Sequence, residues 1–113
     1  MRILILEDDQ AVAALYSTAL TLAGYDVAVF HKFEDARREL RNGIPDGLLT
    51  DVRVGEYNGL QLALLYRMLS PKGPILVVSG HDDVAMRREA ANMSADFFVK
   101  PIDLDSVTRF FSQ

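Results

Sequence analysis

The sequence predicts an α/β fold in which a parallel sheet is covered by helices on both faces. Short continuous apolar runs, such as residues 3–6 and 75–78, are typical of strands that are buried on both faces. Between these runs, apolar residues recur at the spacing of an amphipathic helix. The alternation continues as five strand–helix units. We therefore predict a doubly wound sheet of five parallel strands, with five helices and right-handed crossovers.

The first unit combines the strand at residues 3–6 with a long amphipathic helix. Gly24 follows this helix and fits a C-terminal cap. The predicted inward stripe of the helix consists of Val12, Leu15, Tyr16, Ala19, Leu20 and Ala23.

The next two strands enclose a short helix. Residues 27–30 are predicted to form the second strand, residues 33–42 the helix, and residues 47–51 the third strand. A glycine is unfavourable inside a strand, so Gly47 indicates close packing at that position. The predicted inward residues of the short helix are Phe33, Ala36 and Leu40.

The remaining units follow the same pattern. A third helix covers residues 60–69, and a fourth strand covers residues 75–78. Residues 83–92 form a fourth helix, and residues 97–99 form the fifth strand. A short last helix begins near Asp103, and its predicted inward residues are Leu104, Val107, Phe110 and Phe111.

The third helix carries more apolar side chains than one buried stripe requires. Two interpretations stay open at this point. Some of the side chains are exposed and mark a partner surface, or all are buried between the sheet and neighbouring helices. The residues concerned are Leu60, Leu62, Leu64, Leu65, Met68 and Leu69.

Composition limits the possible functions. The 113 residues correspond to one domain, residues 1–113, and the net charge of −4 argues against direct binding of nucleic acid. The pairs Arg37-Arg38 and Arg87-Arg88 are interpreted as solvated helix faces. The absence of cysteine excludes disulfides and thiolate metal sites. The apolar run near the N-terminus is too short for a signal peptide or a membrane span, so we expect a cytoplasmic protein without a membrane partner.

Polar side chains follow four of the predicted strands. Glu7, Asp8 and Asp9 come after the first strand, and Asp51 ends the third. Ser79 follows the fourth strand, and Lys100 follows the fifth. The second strand, which ends in Phe30-His31, is expected to contribute little. In open parallel sheets, ligands bind at the carboxyl ends of the strands, so we expect these side chains to share one crevice.

This set of residues is suited to phosphoryl transfer. Clustered carboxylates repel one another, and a hard divalent cation such as Mg²⁺ removes that cost. Asp51 is then a candidate nucleophile through its carboxylate. Lys100 and Ser79 are better placed to hold the oxygens of the transferring group than to bind the metal.

Each of these residues also has an ordinary structural interpretation. Asp8 or Asp9 could cap the first helix, and Asp51 could be a turn residue. Ser79 could cap the fourth helix, and Lys100 could lie on the surface. Complementary chemistry at four strand ends together favours the functional interpretation.

The sequence closely resembles the receiver domains of two-component response regulators over nearly its whole length. Together, the motifs that carry the resemblance are highly specific. They are residues 3–9, residues 45–53 around Asp51, Asn58-Gly59, residues 77–80, and residues 95–101 ending in Lys100-Pro101.

The resemblance implies a flavodoxin-like fold with strand order 2-1-3-4-5 and a signalling switch rather than an enzyme. It implies that Asp51 accepts a phosphoryl group from a sensor histidine kinase or phosphotransfer protein. Asp8, Asp51 and the backbone carbonyl of Arg53 would bind Mg²⁺ directly, and Glu7 would act through water. Lys100 matches the active-site lysine of the family.

The resemblance also assigns a switch to two further residues. Ser79 matches the switch hydroxyl, and Phe97 matches the switch aromatic. It implies a cis peptide bond between Lys100 and Pro101, which also suits the abrupt end of the fifth strand. A phosphorylation-dependent homodimer is a further possible partner state.

Several features depart from the family pattern. Gly55 replaces a usual proline, so the loop after Asp51 is expected to be more mobile. Serine stands at position 79 where threonine is commoner, and Phe97 has no hydroxyl, so only its packing can report the state. The last helix is short for the family, and no output domain follows it. A stand-alone receiver and a fragment of a longer regulator both remain open.

Other functions fit the sequence less well. A flavin-binding protein of this fold would not place acidic residues where its phosphate loop follows the first strand. A haloacid-dehalogenase-type phosphatase needs a second aspartate two residues after the nucleophile, where this chain has Arg53. A P-loop enzyme is excluded because the glycine-rich loop is missing. The remaining alternative is a receiver-like binding module that docks a partner without being phosphorylated.

Overall fold

The apolar runs form the strands of one parallel sheet. The computed structural model describes all of residues 1–113. The sheet has the order β2-β1-β3-β6-β7, and β4 and β5 form a separate antiparallel hairpin. The predicted order 2-1-3-4-5 is confirmed, because β6 and β7 are the predicted fourth and fifth strands. The strands are β1 (Arg2–Leu6), β2 (Asp26–Phe30), β3 (Gly47–Asp51), β4 (Arg53–Val54), β5 (Tyr57–Asn58), β6 (Ile75–Ser79) and β7 (Asp96–Val99).

Five helices connect the strands, as predicted. Four of them begin with a side-chain cap, in which Asp9, Asn58, Asp83 or Asp103 accepts hydrogen bonds from backbone N–H groups of the first turn. Gly24 follows the first helix with a φ of 97°, a backbone conformation that glycine adopts without strain. The helices are α1 (Gln10–Leu22), α2 (Phe33–Asn42), α3 (Gly59–Leu69), α4 (Val84–Asn92) and α5 (Leu104–Phe111).

The helices form two layers because successive strand residues point to opposite faces of the sheet. Ile3 and Ile5 pack in a core with α1 and α5, whereas Leu4 and Leu6 pack in a core with α2, α3 and α4. The close packing predicted at Gly47 is confirmed, since a Cβ there would lie 3.0 Å from Cε1 of Phe111. Both faces of the sheet are therefore covered.

The predicted inward stripe of α1 is wrong at two positions. Leu15 is 55% exposed and Ala23 is exposed, whereas Ala13 is fully buried beside Tyr16 and Leu20. The buried stripe of α1 therefore runs through Ala13, Tyr16 and Leu20.

For α3, some of the apolar side chains are exposed, so burial of the whole set is wrong; a partner surface on this helix stays a prediction. Leu60 and Leu62 are buried, but the outward side chains of the helix are not. The exposed apolar residues are Leu64, Leu65, Met68 and Leu69.

The hairpin after β3 was not predicted. It turns at Gly55, whose φ is 61°, and Tyr57 stacks on Phe33 of α2 with ring centroids 4.9 Å apart. This stack ties the loop that follows Asp51 to the neighbouring helix. No helix in the chain combines the length and apolar character needed to cross a lipid bilayer.

Candidate functional site

The predicted site residues meet at one edge of the sheet. Parallel pairing places Leu6 beside Thr50, Asp51 beside Val78, and Ser79 beside Val99. Glu7, Asp51, Ser79 and Lys100 therefore emerge from neighbouring strand ends, as expected for an open parallel sheet.

Three carboxylates form the centre of the site. One oxygen from each of Glu7, Asp8 and Asp51 lies within 4.8 Å of the other two. Glu7 is fully buried and Asp51 nearly so, while Asp8 is exposed. Three hard oxygen donors at this spacing fit a hard divalent cation with one side open to solvent.

Lys100 bridges two of the carboxylates. Its Nζ donates to Oε1 of Glu7 at 2.7 Å and to Oδ2 of Asp51 at 2.9 Å. The predicted cis bond between Lys100 and Pro101 is confirmed. The backbone N–H of Lys100 donates to the carbonyl of Ser79 at 2.7 Å, which fixes the start of this segment against β6.

Burial and neighbouring charges shift the pKa values of Glu7 and Lys100. Burial raises the pKa of Glu7 to about 7, because loss of water disfavours the carboxylate more than the hydrogen bond from Lys100 favours it. Burial alone would lower the pKa of Lys100. The hydrogen bonds and negative charges of Glu7 and Asp51 outweigh that effect and hold the lysine pKa above its ordinary value.

The structure separates Asp9 from the other acidic residues. Oδ1 of Asp9 accepts hydrogen bonds from the backbone N–H groups of Ala11 and Val12, so Asp9 caps α1. Oδ2 of Asp8 instead accepts a hydrogen bond of 3.4 Å from the backbone N–H of Gly55. The acidic pair at the centre is thus Glu7 and Asp8.

Ser79 and Arg53 reach the site from different segments, Ser79 from β6 and Arg53 from β4. Ser79 is buried at the end of β6, and its Oγ accepts a hydrogen bond of 3.1 Å from the N–H of His81. It does not cap α4, since Asp83 does so. Arg53 begins β4 two residues after Asp51, and its side chain is exposed. Its backbone carbonyl as a metal ligand stays a prediction.

Phe97 has a partner that the sequence did not reveal. The guanidinium carbon of Arg87 lies 4.9 Å from the centroid of the Phe97 ring, and Arg87 also forms an ion pair with Asp82. The interpretation of Arg87 as a residue of a solvated helix face is therefore incomplete. A pair of arginines on a helix carries no signal for an aromatic neighbour on a later strand.

The second strand contributes more than expected. His31, which follows β2, places Nδ1 at 2.9 Å from the backbone carbonyl of Glu7. Because the carbonyl only accepts, Nδ1 carries the hydrogen and donates it. His31 thereby supports the backbone of an acidic residue at the centre of the site. A single histidine at a strand end forms no pattern that would have predicted this contact.

Gly59 also makes a contribution to the site that the sequence pattern did not reveal. A Cβ at position 59 would lie 1.7 Å from the backbone oxygen of Asp51, and the Gly59 N–H donates to the carbonyl of Val52 at 2.6 Å. Only glycine fits where α3 begins this close to the phosphoacceptor candidate.

Comparisons with known proteins agree with this geometry. The family model described as "Response regulator receiver domain" matches residues 3–111. The chain belongs to the response regulator receiver domain family. The luminescence regulatory protein LuxO of Vibrio campbellii is 33% identical to this receiver domain over 100 residues, which are 88% of this chain and 22% of that protein. The chain thus spans about a fifth of the length of this relative.

Solved structures show the same receiver fold. A response regulator receiver protein from Sinorhizobium medicae has a TM-score of 0.91 and 26% identity, covering 100% of this chain and 92% of that one. A response regulator from Burkholderia pseudomallei has a TM-score of 0.88 and 23% identity, covering 97% of this chain and 65% of that one. That crystal structure holds a phosphorylated aspartic acid, a calcium ion and citrate.

Proposed function

We propose that this receiver domain is a phosphorylation-dependent signalling switch in which Asp51 accepts the phosphoryl group. The observation that carries the proposal is the bridge from Lys100 to Glu7 and Asp51 beside the third carboxylate, Asp8. This arrangement holds a nearly buried carboxylate between a fixed ammonium and a set of cation ligands. Family membership supports the same chemistry.

The carboxylates are proposed to hold Mg²⁺. Asp8 and Asp51 would bind it directly together with the carbonyl of Arg53, and Glu7 would act through water. The spacing and hard oxygen chemistry of the three side chains fit this ion. When bound, the ion neutralises negative charge on the phosphoryl oxygens and on the carboxylates.

The residues of the chain then divide the work of phosphoryl transfer. An Asp51 carboxylate oxygen forms the new bond to phosphorus, and the bond from phosphorus to the donor nitrogen of a phosphohistidine breaks. The electron pair of that bond returns to the imidazole. Lys100 holds a phosphoryl oxygen through its ammonium, and the hydroxyl of Ser79 donates a hydrogen bond to another.

Phosphorylation is proposed to change the packing around Phe97. The new group adds about one and a half to two negative charges and three acceptor oxygens. Ser79 would leave its contact with the N–H of His81 and move toward Asp51. Phe97 would then turn into the vacated space and lose its contact with Arg87.

The proposed partners follow from this chemistry. The phosphoryl donor is a sensor histidine kinase or a phosphotransfer protein, and residues 1–113 act as one receiver domain. A phosphorylation-dependent homodimer, the absence of direct nucleic-acid contact and a cytoplasmic location remain predictions.

The experiment that tests the proposal is phosphorylation by a small-molecule donor. The protein is incubated with acetyl phosphate, with and without Mg²⁺, and its intact mass is measured. We expect a mass gain of one phosphoryl group that requires the metal and is lost on chelation. A protein that never gains this mass would instead be a binding module that works without phosphorylation.

A further inference from the structure

An apolar groove runs between α2 and α3 and includes none of the proposed phosphorylation-site residues. We name it the α2–α3 groove, and its volume is about 550 Å³. Its floor includes Phe33 and Leu40, which belong to the core. Its α3 wall consists of Leu64, Leu65, Met68 and Leu69.

The α3 wall is a second apolar stripe on one helix. Its residues follow Gln61 at positions i+3, i+4, i+7 and i+8, which is the spacing of a face that packs on another helix. Met68 is 72% exposed and Leu64 is 52% exposed. The inner stripe of α3 already fills the core through Leu62 and Tyr66, so the outer stripe is not needed for the fold.

The charges at the groove have one sign. Arg37 and Arg41 lie one turn apart on the α2 wall, and no carboxylate lines the groove. Arg41 forms no ion pair, and Arg37 has only an exposed contact of 3.6 Å with Glu34. A basic rim of this kind stands out in a chain of net charge −4.

We propose that the α2–α3 groove binds an amphipathic helix of a partner protein, with leucine-type anchors on one face and acidic residues along one edge. The apolar wall accepts the anchors, and Arg37 and Arg41 pair with the acidic edge. A second copy of this chain fits less well. Two copies joined groove to groove would leave Arg37 and Arg41 without acidic partners in the other copy, because no carboxylate lines the groove.

The proposal is tested with two synthetic helical peptides of about four turns. Both carry leucines at i, i+3, i+7 and i+10, and one has glutamates along one edge where the other has lysines. Binding to the unphosphorylated protein is measured by fluorescence anisotropy, so the result does not depend on phosphorylation of Asp51. We expect the acidic peptide to bind at least about tenfold more tightly than the basic one.

Two variants of groove residues test whether the peptide binds in the α2–α3 groove. The double variant Leu64→Ser with Met68→Ser should weaken binding of the acidic peptide by about tenfold or more. Arg41→Glu should abolish the preference between the two peptides, because the introduced carboxylate offsets the charge of Arg37. The matched control is Leu22→Ser on α1, which is 84% exposed on the other face of the sheet and should leave binding unchanged.

Three results would overturn the proposal. These are equal binding of both peptides, no binding of either, or binding that none of the groove variants alters. Sedimentation gives a further decisive result. A wild-type dimer that the Leu64→Ser, Met68→Ser variant converts to a monomer would identify a second copy as the occupant and reject the partner helix.

Discussion

Lys100 holds the centre of the site in one arrangement. Its ammonium is shared between a fully buried carboxylate, Glu7, and the nearly buried Asp51. Removing Lys100 would leave the negative charges of Glu7 and Asp51 uncompensated, which is costly away from water. In the proposed switch, Lys100 would turn from Asp51 toward the added phosphoryl oxygen and keep its contact with Glu7.

The division of roles between Asp8 and Asp9 leads to a paired prediction. Asp8→Ala removes a direct charge from the proposed ion, so we expect Mg²⁺ binding to weaken by about tenfold or more, roughly 1.4 kcal/mol. Asp9→Ala removes the cap of α1 instead. It should lower the free energy of unfolding by about 1 kcal/mol with much less effect on Mg²⁺ affinity. Calorimetry and urea unfolding measure the two quantities, and the reverse pattern would show that Asp9 belongs to the metal site.

The raised pKa of Glu7 predicts a pH dependence of metal binding. Below a pH of about 7, Glu7 holds a proton that a cation must displace, and above it the carboxylate is already charged. Affinity for Mg²⁺ should therefore rise by about tenfold between about pH 6 and about pH 8. The control is Glu7→Gln, whose amide does not titrate and which should flatten the profile. A Mg²⁺ affinity of the wild type that falls as the pH rises would contradict this prediction.

At the scale of elements, the segment between β3 and α3 shapes the site. It contains the β4–β5 hairpin, and its position depends on the Phe33–Tyr57 stack and on the approach of Gly59 to Asp51. The turn at Gly55 brings a backbone N–H to Asp8. The hairpin thus connects Asp51, which precedes it in the chain, with Asp8, which accepts its backbone hydrogen bond.

Gly59→Ala tests the importance of that approach. The added methyl group would overlap the backbone oxygen of Asp51, so we expect the free energy of unfolding to fall by more than about 2 kcal/mol in urea titrations. The matched control is Gly80→Ala, where a Cβ meets nothing within 4 Å and φ is not positive. Gly80→Ala should change stability by less than about 1 kcal/mol. If Gly59→Ala also lowered stability by less than about 1 kcal/mol, the start of α3 would have shifted to accommodate the methyl group, and the prediction would be wrong.

The proposed link between Ser79 and Phe97 is tested by NMR with beryllofluoride, a phosphoryl mimic. We expect shifts at Ser79 and also around Phe97 and Arg87 in the wild type, because the mimic should draw Ser79 toward Asp51. The variant Asp51→Asn should show none of them. Shifts confined to the loops that touch Asp51 would reject the coupling.

The sequence predicted elements of five or more residues but not the two-residue strands of the hairpin. The range of α2 and the range of β3 were predicted correctly, because each had a clear apolar pattern and flanking turn residues. The hairpin was missed because strands of two residues are too short to show a period. Leu15 was assigned to the inner face of α1 because leucine outweighs alanine in a hydrophobic pattern, whereas Ala13 is the residue that is fully buried.

The candidate site was predicted in composition but not in its contacts. Acidic, hydroxyl and ammonium groups at strand ends pointed to the right region, and parallel topology brings such ends together. The strand-end pattern alone did not separate Asp9 from Glu7 and Asp8; the family resemblance made that distinction. The contacts of His31 with Glu7 and of Arg87 with Phe97 depend on side-chain placement between distant segments. No spacing along the chain encodes that placement.

At the scale of the whole molecule, chemistry and surface recognition occupy different regions. The carboxyl edge of the sheet holds the charged site, α1 and α5 cover one face, and α2 to α4 cover the other. The α2–α3 groove lies on the second face and includes Phe33, which also stacks on the hairpin next to Asp51. Phe33 therefore contacts both the groove and the hairpin that follows Asp51.

The position of the phosphoryl group is the most direct test of the proposed switch. The protein is phosphorylated with acetyl phosphate and Mg²⁺, and borohydride then reduces any aspartyl phosphate to homoserine. The modified residue is located by digestion and tandem mass spectrometry. We predict homoserine at position 51 in the wild type and none anywhere in Asp51→Asn. Modification of Glu7, Asp8 or Asp9, or continued phosphorylation of Asp51→Asn at the wild-type rate, would contradict the assignment of Asp51 as the phosphoacceptor.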